Sequence, residues 1–144
     1  MTPIQKSLVQ STWKQVAPLA GPAAIMFYDR LFEIDPSTKP LFGQTDMAHQ
    51  RKKLIQIIGT AVSSLERLDA LVPVVEDLGR RHAGYGVEDK HYDSVGAALL
   101  WTLERGLGKD WTPQVAEAWT ETYDLLSGVM RRAQASAMKE SVAA

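Results

Sequence analysis

The chain has 144 residues, enough for one domain with a sizeable core and short for two. Its 16 Lys and Arg set against 17 Asp and Glu leave a net charge of −1, which removes the electrostatic case for nucleic acid or an anionic membrane as partner. No cysteine is present for a disulfide, a thiolate metal site or a nucleophile, no apolar run is long enough to cross a bilayer, and the opening MTPIQKSLVQ lacks the core of a signal peptide, so a cytoplasmic protein is expected.

Helix starts are marked by proline at the first helical position behind a side chain that can cap, as in Thr2-Pro3, Asp35-Pro36 and Thr112-Pro113. Gly21-Pro22 and Val72-Pro73 supply two further starts. The punctuation predicts a first helix from about Pro3 and a second from about Pro22, whose inward line is Phe27, Leu31 and Ile34, with Tyr28 and Phe32 beside it. A short turn follows from Pro36. Long helices are expected near 50–68, 72–83, 89–107 and 113–138. In the first of these Leu54, Ile57, Ile58, Ala61, Val62 and Leu65 recur at threes and fours; in the third Val95, Leu99, Leu100, Leu103 and Leu107 do the same. The last carries Val115, Ala118, Trp119, Thr122, Tyr123, Leu126, Val129, Met130 and Ala133 at that period, so it should lie on the core over most of its length. Residues 139–144 lack large side chains and are expected to fray. Sustained alternation of period two is absent, so the fold class is all-α in a single domain, 1–144.

Most enzyme signatures fail. Gly84 and Gly86 do not continue to a third glycine after a strand, so no phosphate-cradling dinucleotide loop is formed, and no GxSxG elbow exists. The acidic residues are scattered as on any solvated surface. The basic run Arg51, Lys52, Lys53 reads as the wet face of a helix, its sharper alternative being an anion clamp.

His82 is different. Leu78, Val75 and Leu71 lie four, seven and eleven residues before it, which puts all four on one side of the helix and turns the imidazole inward. An inward histidine satisfied by a backbone carbonyl is the ordinary reading, and a metal ligand is the alternative. Zinc is a poor fit, because it wants three or four ligands and only His49 and His91 could join without a recognised spacing. A single inward histidine suits haem, whose porphyrin supplies four nitrogens and leaves one axial place for imidazole. A pocket on the other face of such a group needs one or two polar side chains to orient a diatomic ligand. Tyr28 can serve, and so can Gln50, which lies one helical turn before Leu54 and projects to the same side.

The ordered motifs FYDRLF, PSTKPLF, HQRKKLIQIIG, LGRRHAGYGVEDKHYDSVG and AWTETYDLLSGVM together resemble the globin family, in particular single-domain bacterial haemoglobins and the globin portion of flavohaemoglobins. That resemblance covers nearly the whole chain. It implies the three-over-three globin fold, haem b as cofactor, and oxygen, nitric oxide or carbon monoxide as ligands. By the same resemblance His82 is the proximal iron ligand, Phe42 the aromatic wedged against the porphyrin, Tyr28 the distal hydroxyl, Gln50 the distal amide and Leu54 the apolar wall. The Leu78 carbonyl would hold the His82 ring, Val87 and Tyr92 would line the proximal side, and Lys53 and Arg81 are the cations nearest the propionates. In flavohaemoglobins a tyrosine matching Tyr92 and a glutamate on the last helix polarise the proximal histidine. Counting from Trp119, that glutamate's place is taken by the neutral Gln134, so a weaker push on the histidine is expected.

Reversible oxygen binding is the function this implies. Rival expectations are a nitric oxide dioxygenase served by a separate reductase, a gas-sensing or regulatory globin, and a cofactor-free helical protein in which His82 is only packed. The sixth coordination position is expected to be open, or closed by Tyr28, Gln50 or His49.

Overall fold

The computed structural model describes the backbone of residues 1–143 and the side chains of residues 1–139. Among the described residues there are six α-helices and no strand: α1 (Pro3–Val16), α2 (Ala20–Ile34), α3 (Met47–Ser63), α4 (Leu68–Gly84), α5 (Asp89–Leu107) and α6 (Pro113–Ala143). Short 3₁₀ turns at Ala17–Leu19, Pro36–Phe42 and Gly108–Asp110 link them. Helices α1, α3 and α4 form one layer over α2, α5 and α6. The closest packing between layers joins α4 to α6, α1 to α6 and α2 to α3, and within a layer α2 lies along α5. None of the described helices is long and apolar enough to cross a membrane.

Capping sets the starts much as the proline pairs predict. Thr2 accepts from the Gln5 backbone N–H while Gln5 returns a bond to the Thr2 N–H, a complete capping box. Asp35 accepts from Ser37 N–H ahead of Pro36, and Thr112 Oγ1 from Val115 N–H ahead of Pro113.

Four boundaries differ from the expectation, one of them the end of α6, which runs on to Ala143 instead of stopping near 138. Helix α3 starts at Met47, three residues early, because Asp46 caps the Ala48 N–H, and it ends at Ser63 rather than 68. Leu65, fully buried, instead plugs the core from the turn that follows. Helix α4 starts at Leu68, not Val72, because the Arg67 carbonyl receives the N–H groups of Ala70 and Leu71, and Leu71 is buried. Pro73 therefore sits inside the helix on its exposed side, where its missing N–H leaves the Asp69 carbonyl without a helical partner. Two expected inward residues also face out: Ile34 and Ile57 are 37% and 43% exposed. Residues 139–143 of the tail expected to fray continue α6, while side chains beyond 139 lie outside the described residues.

The main core joins four helices through Val9, Val16, Val62, Leu65, Leu103, Leu107 and Trp119. Trp119 is buried with its indole N–H satisfied by Thr12 Oγ1 at 2.9 Å, so α6 is tied to α1 by packing and by one hydrogen bond. This core fills one end of the molecule. At the other end α3 and α4 meet through Ala61 against Leu71 and Val75, while their backbones stay well apart.

Candidate functional site

The last two turns of α4 carry His82. Leu71 and Val75 bury the same helix face, and Leu78 and His82 continue it while remaining half-buried. His82 Nδ1 lies 2.5 Å from the Leu78 carbonyl oxygen. A carbonyl can only accept, so Nδ1 carries the proton and Nε2 keeps its lone pair. No described residue hydrogen-bonds Nε2. Burial, the larger influence, lowers the pKa of the ring below its ordinary value, and the bond to Leu78 partly opposes that, so the imidazole is held neutral.

Helices α5 and α6 back the histidine. The Tyr92 ring lies 6.3 Å from the His82 ring at an interplanar angle of 29°, and Tyr85 is 5.6 Å away on the outer side. Tyr92 donates its hydroxyl proton to Gln134 Oε1, and Gln134 Nε2 donates to the Val87 carbonyl. Because the Val87 oxygen can only accept, the orientation of the Gln134 amide is fixed by these two partners. Burial pushes the Tyr92 hydroxyl up to about 12, with Arg131 over its ring opposing. The position found by counting along the last helix is thus the one that meets Tyr92, and it brings an amide in place of a carboxylate.

The second polar group comes from α2. Tyr28 is buried with Phe27, Leu31 and Ala98, and its ring meets Phe42 edge-on at 5.5 Å. Phe42 is delivered by the Pro36–Phe42 turn, whose start Asp35 caps. Gln50, in the first turn of α3, donates from Nε2 to the Tyr28 hydroxyl at 3.2 Å. The hydroxyl oxygen being the acceptor, its own proton remains free to donate elsewhere, and no described residue takes it. Burial raises the Tyr28 pKa, which keeps it a neutral donor. Leu54, one turn beyond Gln50, packs on this cluster with Phe32, Met47, Val95 and Leu99.

The two groups are held close by α5. Tyr92 lies beside His82, while Val95 and Ala98, three and six residues on, pack against the Tyr28 cluster. At 1.5 Å per residue that separates the walls by about 4.5–9 Å along the helix. Phe42, Leu54, Leu78, Val87 and Val95 are all only half-buried although they lie on inward faces. Apolar walls left half-covered, one nitrogen lone pair and one free hydroxyl proton fit a flat apolar group whose metal needs a single protein ligand. The residues present therefore suit haem.

The other expected site residues stand apart. Lys53 is exposed with no described partner, and Arg81 is exposed and committed to Asp77 at 2.7 Å. His49 is exposed. His91 is buried, but its Nδ1 accepts from Glu88 N–H and its Nε2 lies 3.2 Å from Ser37 Oγ, so it serves the corner before α5. Among the described residues no three His, Asp or Glu side chains converge as a metal site. Sequence reasoning missed Arg131, which lies over Tyr92 and pairs with Asp89 and Asp93; its place three residues before Gln134 was the available signal.

Comparison with known proteins agrees with this geometry. A family model described as Globin matches residues 25–130, which span α2 to α6. The chain is 28% identical over 138 residues to a neuroglobin of Chaenocephalus aceratus, covering 87% of each chain, and 29% identical over 140 residues to a neuroglobin of Danio rerio, covering 88% of each. It is 32% identical over 103 residues to a flavohemoprotein of Bacillus subtilis (strain 168), covering 70% of this chain and 26% of that protein. With the family match running through both Tyr28 and His82, the chain belongs to the globin family.

Proposed function

We propose that the protein is a haem globin that binds oxygen reversibly, and other diatomic gases such as nitric oxide and carbon monoxide, with His82 as the axial ligand of haem b. His82 would hold the haem, which when bound would supply ferrous iron able to take up a diatomic gas. The observation that carries the reading is the pairing of His82 Nδ1 with the Leu78 carbonyl, which leaves Nε2 unprotonated and aimed by a rigid helix. A neutral imidazole held in this way is a ready metal donor.

On the opposite wall Tyr28 donates its free proton to a gas molecule. Gln50 restrains that hydroxyl by donating to its oxygen, so less rotational freedom is lost when a ligand arrives. Oxygen draws charge outward more than carbon monoxide does, so this donor favours oxygen. Phe42 and Leu54 exclude water from the same space. Lys53 and Arg81 are proposed for the propionates, Arg81 after release from Asp77. Gln134 supports reversible binding over oxidative turnover, since an amide behind Tyr92 adds no negative charge toward His82. The reading includes a cytoplasmic setting and a separate reductase to keep the iron ferrous.

Optical spectra of the ferric, ferrous and oxygenated forms test it. The wild type is expected to show a Soret band and a stable oxygenated spectrum, and His82→Ala to lose axial imidazole ligation. Unchanged haem uptake and ligation in His82→Ala would sink the assignment. Stopped-flow mixing of the oxygenated protein with nitric oxide, followed by turnover with a reductase, separates a dioxygenase from a binding protein.

A further inference from the structure

Gly79 lies in α4 directly after Leu78, whose carbonyl holds the imidazole, and three residues before His82. It is buried against α6, and the two helices meet there backbone to backbone. A Cβ built on Gly79 would stand 2.4 Å from the Met130 carbonyl oxygen, 2.8 Å from its Cα and 2.9 Å from its carbonyl carbon. None of these atoms belongs to a side chain, so no rotamer change relieves the clash. Ordinary contact would return only if α4 retreated by roughly 1 Å. Helix α6 cannot yield easily, because Trp119 and Val115 anchor it in the main core. Helix α4 has more room at its His82 end, since beyond the packing of Leu71 and Val75 on Ala61 its Leu78 and His82 are only half-buried.

A second tie fixes the same helix from its far end. Gln134, four residues after Met130 and so on the same side of α6, donates to the Val87 carbonyl just beyond α4 and accepts from Tyr92. The segment bearing His82 is therefore held against α6 on both sides of the histidine, by a bare glycine before it and an amide after it.

We infer that Gly79 is a positioning residue: its missing side chain lets Met130 and Gln134 of α6 set where His82 stands in the crevice before any cofactor arrives. The inference rests on His82 being the axial ligand, as proposed above. Because Gly79 acts through the backbone of α4, its influence requires that the imidazole be covalently part of that helix.

The test compares Gly79→Ala with wild type, both loaded with haem, by the iron–imidazole stretching band of the ferrous, gas-free protein. The band is expected to shift in Gly79→Ala, and haem transfer to excess apomyoglobin to be faster. In a His82→Gly background supplied with free imidazole, the ligand is cut loose from α4, and adding Gly79→Ala should then leave the band in place. Gly128→Ala on α6, where the added Cβ approaches only the Arg132 guanidinium, at 3.4 Å, is the control and should shift nothing. An unchanged band in folded, haem-loaded Gly79→Ala overturns the inference, and so does an equal shift with free imidazole. A wild type that takes up no haem through His82 would instead overturn the assignment on which the inference rests. Should Gly79→Ala not fold, amide exchange on the wild-type apoprotein decides: protection of residues 79–82 without haem is expected, and its absence would show that α6 does not hold the helix.

Discussion

Tyr28 and His82 show how much one proton's location decides. Tyr28→Phe keeps the ring and its contacts with Phe27 and Phe42 but removes the only donor this residue has. A charge-assisted hydrogen bond contributes about 1.5–3 kcal/mol, so oxygen dissociation measured by stopped flow should accelerate by more than roughly tenfold. An unchanged rate would assign the stabilisation to Gln50 or to water. His82 gives a pH dependence with a definite sign. Its pKa in the fold lies below the ordinary 6.5, so above that pH the ring is neutral in both folded and unfolded chains and nothing is lost. As pH falls below about 6.5 the unfolded chain takes up the proton first, and the folded state loses stability until the lowered pKa is passed. The urea midpoint of the apoprotein should therefore drop as the pH is taken below about 6.5, and His82→Ala should remove part of that drop. A drop of the same size in the variant would mean that other groups cause it.

At the scale of helices, the sequence was legible where a local cap stood directly before a proline, and the Asp46 cap that starts α3, with no proline behind it, was missed. The Thr2 capping box, the Asp35 cap and the Thr112 cap lie within three residues of the helices they start, so their pattern can be read directly. The C-terminal end of α3 and the start of α4 were not legible, because Leu65 and Leu71 are placed by packing against distant helices. Pro73 was misread for the same reason: burial of Leu71 carries the helix back past a proline that would otherwise begin it. The cost of that override can be measured. A proline in a helix interior is about 3 kcal/mol worse than alanine, less near the first turns, so exposed Pro73→Ala should stabilise the protein by about 1–3 kcal/mol in urea unfolding. Destabilisation would show that the proline contributes through the unfolded chain or a needed bend.

Across the whole molecule, the histidine, tyrosine and glutamine could be picked out from helical spacing, and their residue types suggested a shared purpose. What spacing could not convey was the gap between α3 and α4, or the fact that Lys53 and Arg81 look outward while Arg131 turns in over Tyr92. Those are properties of how six helices stack. A gap lined with half-covered apolar side chains leaves the apoprotein short of burial, so filling it should raise stability strongly. A ligand present at 1,000 times its Kd stabilises by about 4.1 kcal/mol, and the thermal midpoint of the haem-loaded protein should lie well above that of the apoprotein. The difference should collapse in His82→Ala. Equal midpoints would mean that side chains already close the space.

Helix α5 touches both walls, at Tyr92 on one and at Val95 and Ala98 on the other, and this makes it a spacer of fixed gauge. A helix cannot stretch without breaking its own hydrogen bonds, so the slot cannot breathe by widening along that direction. Under the proposed reading, what remains to admit a small gas is movement transverse to α5, and half-buried Gln50, bonded to the Tyr28 hydroxyl, is a side chain placed to take part in it.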